Sequence, residues 1–273
     1  MKKALSFILI PLLLFSLCAC NRDKTQESTE YIPNTEVEIA VAYIYNGKAN
    51  IVTRPLNDTP LKSLTLACVY YDITGKQIGQ CKMIDCKVTD NKNVTLWQSD
   101  CPEMAVYVDC VVYSTTDESD NVLTAERIDL WEQSVVKAFQ IDTYRANLEN
   151  DLRESAGKAV ANPHVKLGSV NWQDLSVTVE MELLSDNIKS VYLFALWFDE
   201  DGLPVDTNTC SYCGNGESMV AHITNNNHNY IFQAPETAQS AKIIVQSIDF
   251  KDGTQWINPY CYEWILLNRS NAK

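Results

Sequence analysis

The chain has 273 residues, of which 46% are hydrophobic and 21% are charged, and its formal net charge is -13. This balance is typical of packed globular domains and excludes a low-complexity stalk. A surface this acidic argues against nucleic-acid binding and against electrostatic docking on anionic lipid, because both partners are themselves negative.

Residues 1–19 predict a secretory leader. Lys2 and Lys3 precede an apolar run over residues 4–17, which is too short to span a membrane as a helix and is typical of a signal peptide. Loss of the two lysines with the leader would change the formal charge from -13 to -15. The leader predicts that the mature chain lies outside the cytoplasm.

The leader ends at Leu17-Cys18-Ala19-Cys20, which resembles the lipobox of bacterial lipoproteins. That resemblance implies that Cys20 is lipidated, for example with palmitate, and becomes the first mature residue in the cell envelope. Two or more acyl chains are enough for stable anchoring. The alternative is an ordinary cleaved signal with an incidental cysteine. Residues 20–35 are polar without apolar periodicity and predict a tether.

The mature chain contains a duplication. Residues 62–78 and 189–205 lie 127 positions apart; each opens with Lys-Ser, continues as an apolar strand and ends in Asp-x-x-Gly, as Asp72/Gly75 and Asp199/Gly202. This ending is typical of a strand that enters a tight turn. The correspondence extends without a gap back to residues 38 and 165 and predicts two copies of one unit.

Each copy offers about seven short strands with turn signals every 8 to 12 residues, the pattern of an immunoglobulin-like sandwich. The segments Phe194-Ala195-Leu196-Trp197-Phe198-Asp199 and Ala67-Cys68-Val69-Tyr70-Tyr71-Asp72 loosely resemble the FxLYD-type β-sandwich modules of bacterial envelope lipoproteins. The resemblance implies a type of module and no chemistry. The predicted sandwiches occupy residues 36–133 and 163–268.

Residues 134–162 predict a helical connector, because the period of the apolar residues changes there. From Ile141 they form one stripe, followed by Gly157 and Pro163 as stop signals; the stripe comprises Tyr144, Leu148, Leu152, Ala156 and Ala159. The predicted fold class is therefore all-β, with two tandem immunoglobulin-like β-sandwiches joined by an α-helix.

The apolar strand within residues 189–205 of the second copy is apolar on both faces, although a strand in a sandwich usually has one solvent-exposed face. The face not needed for the core carries Tyr192, Phe194, Leu196 and Phe198. Leaving these side chains exposed to solvent would lose about 1.5 to 3 kcal/mol of hydrophobic stabilisation each, so we expect another part of the protein or a partner to cover them. The cover is either internal, from the connecting helix or the neighbouring domain, or a protein or glycan partner, which makes this the candidate binding face.

Ten cysteines are present, and eight remain once Cys18 and Cys20 are set aside. The two copies share a local pair, Cys81/Cys86 and Cys210/Cys213, and export favours disulfides, so these pairs are the candidate disulfides. Cys68 and Cys110 are interpreted as buried thiols that act as small hydrophobic residues.

Two chemical alternatives involve Cys210 and Cys213. Their C-x-x-C spacing could be redox-active, and together with His222 and His228 they could hold zinc, but the segment lacks the helix start that lowers a thiol pKa. Asp199-Glu200-Asp201-Gly202 superficially resembles a calcium loop but lacks the remaining ligand series. We therefore predict no metal and no cofactor.

No catalytic motif is present: there is no G-x-S-x-G, no phosphate-binding loop and no H-E-x-x-H. The leading functional hypothesis is a non-catalytic binding or scaffolding module, held to a membrane by its lipid, with the aromatic face or strand edges as contact surface. The alternatives are a structural spacer without a ligand and a metal or thiol-redox site at Cys210/Cys213.

Overall fold

Alternating apolar side chains produce two sets of seven strands in the computed structural model, which describes residues 30–45, 47–88, 94–205, 216–223 and 229–270. The strands of unit 1 are β1 (Val37–Tyr45), β2 (Lys48–Pro55), β3 (Leu61–Tyr71), β4 (Gln77–Lys87), β5 (Thr95–Asp100), β6 (Tyr107–Asp117) and β7 (Val122–Thr124). The strands of unit 2 are β8 (Val165–Gln173), β9 (Ser176–Leu183), β10 (Ile188–Phe198), β11 (Glu217–His222), β12 (Asn229–Gln233), β13 (Ser240–Phe250) and β14 (Gln255–Ile257). Three helices are described with them: α1 (Ile128–Ala138), α2 (Ile141–Val160) and α3 (Cys261–Ser270).

Each unit is a sandwich of two antiparallel sheets with the same strand order. Unit 1 pairs a β1-β2-β5 sheet with a β4-β3-β6-β7 sheet, and unit 2 pairs β8-β9-β12 with β11-β10-β13-β14. In the constant-type immunoglobulin order the fourth strand belongs to the sheet of the first, whereas here it lies beside the third. The predicted all-β fold with tandem sandwiches is confirmed.

The Asp-x-x-Gly turns form as predicted in both units. Gly75 and Gly202 have φ of 82° and 74°, which suit glycine. The carboxylate of Asp72 accepts hydrogen bonds from the backbone N–H groups of Thr74 and Lys76, and that of Asp199 from Asp201 and Leu203. Asp199 therefore acts as a turn residue, as the sequence comparison with the first copy indicated.

The ungapped correspondence between the copies is wrong at the second strand. In β2 the core-facing side chains include Ala49 and Ile51, whereas in β9 they include Val177 and Val179, which an offset of 127 would align with residues 50 and 52. The connection after β2 is one residue longer than that after β9. A slip of one residue turns every side chain to the opposite face, so Val52 points away from the core of unit 1.

Each sandwich has its own apolar core between its sheets. Tyr70 of β3 and Trp197 of β10, which are equivalent by the offset of 127, are both fully buried in these cores. Trp197 packs edge-on against Trp172 of β8 with ring centroids 5.9 Å apart. The two cores are separate, which agrees with a duplicated unit.

Each unit also ends in a helix that covers the outer face of its four-stranded sheet. Trp131 of α1 packs with Val69 and Tyr71 of β3, and Trp264 of α3 packs with Phe194 and Leu196 of β10. The apolar stripe predicts a helix from Ile141, and α2 begins there, but the sequence pattern indicates neither α1 nor α3 as a separate helix. The chain turns sharply at Phe139, which has an extended backbone between α1 and α2.

The helix α2 contacts both units along the apolar stripe that the sequence predicts. Tyr144 near its start packs on the outer face of unit 1's four-stranded sheet, and Ala156 and Ala159 near its end pack on the equivalent face of unit 2. Leu148 and Leu152 in its middle pack against Val41 and Val52 of unit 1 and Leu266 of α3. The two sandwiches therefore share one helical layer.

The predicted tether over residues 20–35 ends earlier than expected. Ile32 pairs with Glu126, and the buried Asn34 donates to the Thr115 hydroxyl at 3.0 Å and to the Leu123 carbonyl at 3.2 Å. Residues 32–34 thus belong to unit 1, because a buried amide finds its hydrogen-bond partners there.

Within the described residues, none of the helices is both long and apolar enough to cross a bilayer.

Candidate functional site

The candidate binding face of β10 is covered by the protein's own helices. Phe194, Leu196 and Phe198 are exposed by 2%, 1% and 4%, and they form one buried cluster with Ala156 and Ala159 of α2 and with Cys261, Trp264 and Ile265 of α3. The prediction of a contact surface at these three residues is therefore wrong. The internal alternative that the sequence left open describes them, although three of the five covering residues belong to α3, a helix that the sequence pattern does not predict.

Tyr192, the fourth residue of that face, lies beyond this cluster. It is half-buried, and its hydroxyl donates to the carboxylate of Asp249 on the neighbouring strand β13 at 3.0 Å. A phenol and a carboxylate that already satisfy each other offer little to a partner. Tyr192 remains accessible but does not form a surface with the other three.

The candidate disulfide between Cys81 and Cys86 is contradicted by the structure. Both cysteines are free and lie on the same strand, β4, five residues apart. Successive side chains of a strand alternate, so Cys86 points into the core and Cys81 to the outer cluster beneath α1. The strand separates their Cα atoms by about 16 Å, well beyond the 7 Å limit for a disulfide.

The remaining sequence-predicted residues divide between described and undescribed parts of the chain. Cys20, Cys210, Cys213 and His228 lie outside the described residues, so the lipidation site and the second disulfide pair stay predictions. Within the described ranges, no cluster of three or more His, Cys, Asp or Glu side chains is placed to hold a metal ion.

The sequence pattern does not predict the contact between Ser190 and His222. Ser190 of β10 and His222 of β11 are cross-strand partners, and the serine hydroxyl lies 3.2 Å from Nδ1 of the imidazole. A nucleophile must be reachable by its substrate. Ser190 is 2% exposed, so this pair links two strands rather than offering a nucleophile.

A cleft lies where α2 crosses unit 1. It has a volume of about 270 Å³ and lies between β1, β6 and α2, with polar groups from Asp109, Cys110, Tyr144, Asn147 and Asp151 on its walls. This is slightly smaller than the usual range for small-molecule sites, about 300 to 1,000 Å³. The cleft exists only because the helix α2 lies beside β1 and β6.

Two polar groups of this cleft, those of Asp109 and Tyr144, have hydrogen-bond partners within the protein. Asp109 accepts a hydrogen bond of 3.1 Å from the Tyr71 hydroxyl, and burial raises the pKa of Asp109 above the usual range while this hydrogen bond partly opposes the rise. The Tyr144 hydroxyl lies 3.2 Å from the carbonyl oxygens of both Ala42 and Val108. These contacts fix α2 on unit 1.

Arg54 forms a second polar junction, between unit 1 and α3. Its guanidinium pairs with Glu38 at 2.5 Å and with Glu263, donates to the Pro259 carbonyl at 2.9 Å, and lies over the Tyr260 ring at 4.3 Å. Burial raises the pKa of Glu263, and the charge of Arg54 opposes this rise. Such a planar, multiply bonded arginine fixes the orientation of two surfaces.

The comparisons with known proteins add one match. The family described as "Family of unknown function (DUF5780)" matches residues 184–271. The matched segment covers β10 to β14 and α3, so it contains the whole four-stranded sheet of unit 2 together with the helix that covers it. No curated protein matches the chain.

Proposed function

We propose that this protein is a lipid-anchored lipoprotein of the bacterial cell envelope whose two sandwiches act as a non-catalytic scaffolding and binding module. The leader and Cys20 support the anchor. The anchor would hold the module on the extracytoplasmic side of a membrane, and its partner would be a protein or a glycan.

The shared helical layer is the observation that carries the scaffolding part of the proposal. Tandem sandwiches joined by a linker alone would move independently. Here Leu152 of α2, Leu266 of α3 and Val52 of unit 1 lie in one buried cluster, and Arg54 ties unit 1 to Glu263 of α3. A body built this way would hold the contact surfaces of the two sandwiches at fixed positions relative to each other.

The anchor is tested by labelling cells with an alkyne analogue of palmitate. The native chain is expected to incorporate the label and to fractionate with membranes, whereas Cys20→Ala would do neither. Cys101→Ala, which changes a different cysteine, is the matched control and would keep the label. Equal labelling of the native chain and Cys20→Ala would overturn the anchor at this residue.

A photo-crosslinking amino acid separates a binding module from a spacer. We would place it at Asn147, on the exposed rim of the cleft, and at Glu180, on the exposed outer face of β9, as the control. In intact envelopes a binding module is expected to give one discrete adduct from Asn147 and none from Glu180. No adduct from Asn147 would favour the spacer and would count against a partner at this cleft.

A further inference from the structure

Two thiols of unit 1 face each other across neighbouring strands. Cys68 of β3 and Cys110 of β6 are direct partners in the antiparallel register, and their sulfur atoms lie 3.2 Å apart. Residues opposite each other in an antiparallel pair have Cα atoms about 4.5 to 5.5 Å apart, within the range that disulfides span. The backbone therefore needs no rearrangement for the sulfurs to approach the bonding distance of about 2.05 Å.

We propose that Cys68 and Cys110 form a cross-strand disulfide that joins β3 to β6. Two thiols become one S–S bond and release two protons and two electrons. A disulfide-bearing oxidant accepts them, and its own S–S bond breaks to give two thiols. The presence of such an oxidant depends on the extracytoplasmic location in the proposed function, whereas the pairing depends only on the geometry of the two strands.

Unit 2 shows that the fold does not require cysteines at this position. The residue equivalent to Cys68 is Ala195, and its partner on β13 is Ile243. Both are apolar and pack in or against the core of unit 2. An alanine and an isoleucine are sufficient for packing, so two cysteines in register at the equivalent place in unit 1 are best explained by the bond they can form.

The other described thiols have no comparable partner. Cys81 faces the opposite side of β4 from Cys86, Cys101 donates to the Gly47 carbonyl at 3.0 Å, and Cys261 is buried in unit 2 against α2 and β10. Burial raises the pKa of the Cys110 thiol well above its usual value. Because the thiolate is the reactive form, the bond would form during folding, before the sheet is covered.

The test is refolding of the full chain from denaturant in a buffer of reduced and oxidised glutathione, followed by alkylation and peptide mapping. Trypsin together with a protease that cleaves after Glu103 separates Cys101 from Cys110. The expected product is a cross-linked pair of peptides that contain Cys68 and Cys110. Recovery of both cysteines in alkylated form, or of either one linked to another cysteine, would overturn the proposal.

A thermal shift gives an independent readout. Reduction is expected to lower the Tm of the native chain by roughly 5 to 15 °C, because a bond that closes the loop between Cys68 and Cys110 restricts the unfolded chain. The double variant C68A/C110I copies the pair of unit 2, so it is expected to fold and to show no response to reductant. Cys81→Ala, the matched control, would keep the response. An equal response in C68A/C110I and the native chain would contradict the assignment.

The same map distinguishes this proposal from the proposed function. Protein alkylated at the moment of cell lysis reports whether the bond exists in the cell. A pair that closes in the glutathione buffer but is reduced in cell-derived protein would support the pairing and contradict the extracytoplasmic location. The labelling of Cys20 is measured separately and does not depend on Cys68 or Cys110.

Discussion

Arg54 is the residue at which the two units are joined by charge. Its guanidinium reaches Glu38 of its own unit and Glu263 of α3, and the Glu263 side chain is 1% exposed. The second oxygen of Glu263 has no hydrogen-bond partner among the described atoms. A buried charge that is only partly compensated is costly, and this is why burial dominates the shift in the pKa of Glu263.

This arrangement predicts a pH dependence of stability. Because the folded pKa of Glu263 is raised, the carboxyl group keeps its proton to a higher pH in the folded state than in the unfolded state. Its contribution to stability is present below its unfolded pKa of about 4.3 and is lost as pH rises through the folded value. Relative to Glu263→Gln, the free energy of unfolding of the native chain should fall as pH rises from about 4.3 to the folded pKa of Glu263, by at most about 1.4 kcal/mol per pH unit, and should level off above that pKa.

Denaturant titrations of both proteins between pH 4 and pH 8 measure this difference. Asp109 also has a raised pKa and contributes in the same direction, but it is present in both proteins and cancels. A difference curve that rises with pH would contradict the assigned direction of the shift.

Phe194 tests the burial of the face that the sequence presented as a binding surface. Phe194→Ala is expected to lower the free energy of unfolding by about 3 to 5 kcal/mol, because it leaves a cavity beneath α2 and α3. Ile231→Ala, at an exposed position of β12, is the control and should change stability by less than about 0.5 kcal/mol. Unchanged stability of Phe194→Ala in urea unfolding would mean that the helices do not cover this face.

At the scale of elements, the helices explain why the outer faces of the four-stranded sheets are apolar. The strands β3 and β10 are buried on both sides, by the sandwich core on one and by helices on the other. Two-sided burial is why residues 64–71 and 191–198 read as nearly continuous apolar runs rather than alternating ones. Trp131 of α1 and Trp264 of α3 are buried in the clusters between these helices and the sheets.

Gly157 offers a test of α2 as an element. Glycine at this position favours the end of a helix, yet α2 continues to Val160, and a Cβ added at Gly157 would meet no atom within 4 Å. Gly157→Ala is therefore expected to raise the free energy of unfolding by about 0.5 to 1 kcal/mol, since alanine favours a helix.

Gly75→Ala is the matched comparison for Gly157→Ala in thermal unfolding. Gly75 has φ of 82°, and an added Cβ would lie 3.3 Å from the side chains of Phe139 and Ile141. This substitution should therefore lower the Tm. A Gly157→Ala variant that is less stable than the native chain would show that the helix is interrupted at that position.

At the scale of the whole molecule, α2 and α3 make one body of two sandwiches. The inter-unit cluster joins the outer face of unit 1's three-stranded sheet to both helices. The equivalent face of unit 2 carries the exposed Glu180 and Glu182. A solvent-exposed, charged face cannot take the place of the apolar face of unit 1, so among the described residues this cluster joins the helices to the three-stranded sheet of unit 1 and not to that of unit 2.

Cooperative unfolding follows from the shared layer. The native chain is expected to unfold in one calorimetric transition, because separating the units exposes the apolar cluster around Leu266. Leu266→Ala removes part of this cluster and should split the transition into two. Val220→Ala, at an exposed position of β11, is the control and should leave a single peak. Two transitions in the native chain would show that the units are energetically independent.

The local elements were largely predictable, and the contacts between them were not. The period-two strands, the Asp-x-x-Gly turns and the stripe on α2 are determined by neighbours in sequence, and the structure agrees with them. The helices α1 and α3 were missed because each has few turns and its apolar residues read as a continuation of the strands. The orientation of the side chains of β2 was not predictable, because the one extra residue in the connection after β2 leaves almost no trace in the sequence.

The sequence by itself determined that this protein is a duplicated, all-β chain with a helix between the copies, since those properties depend on residue periods and on repetition. Only the tertiary structure decided that Phe194, Leu196 and Phe198 are core residues, that Cys68 meets Cys110, and that Arg54 reaches Glu263. The physical reason is that hydrophobic burial has no direction. An apolar face shows that it must be covered, but the element that covers it is chosen by the path of the chain through space.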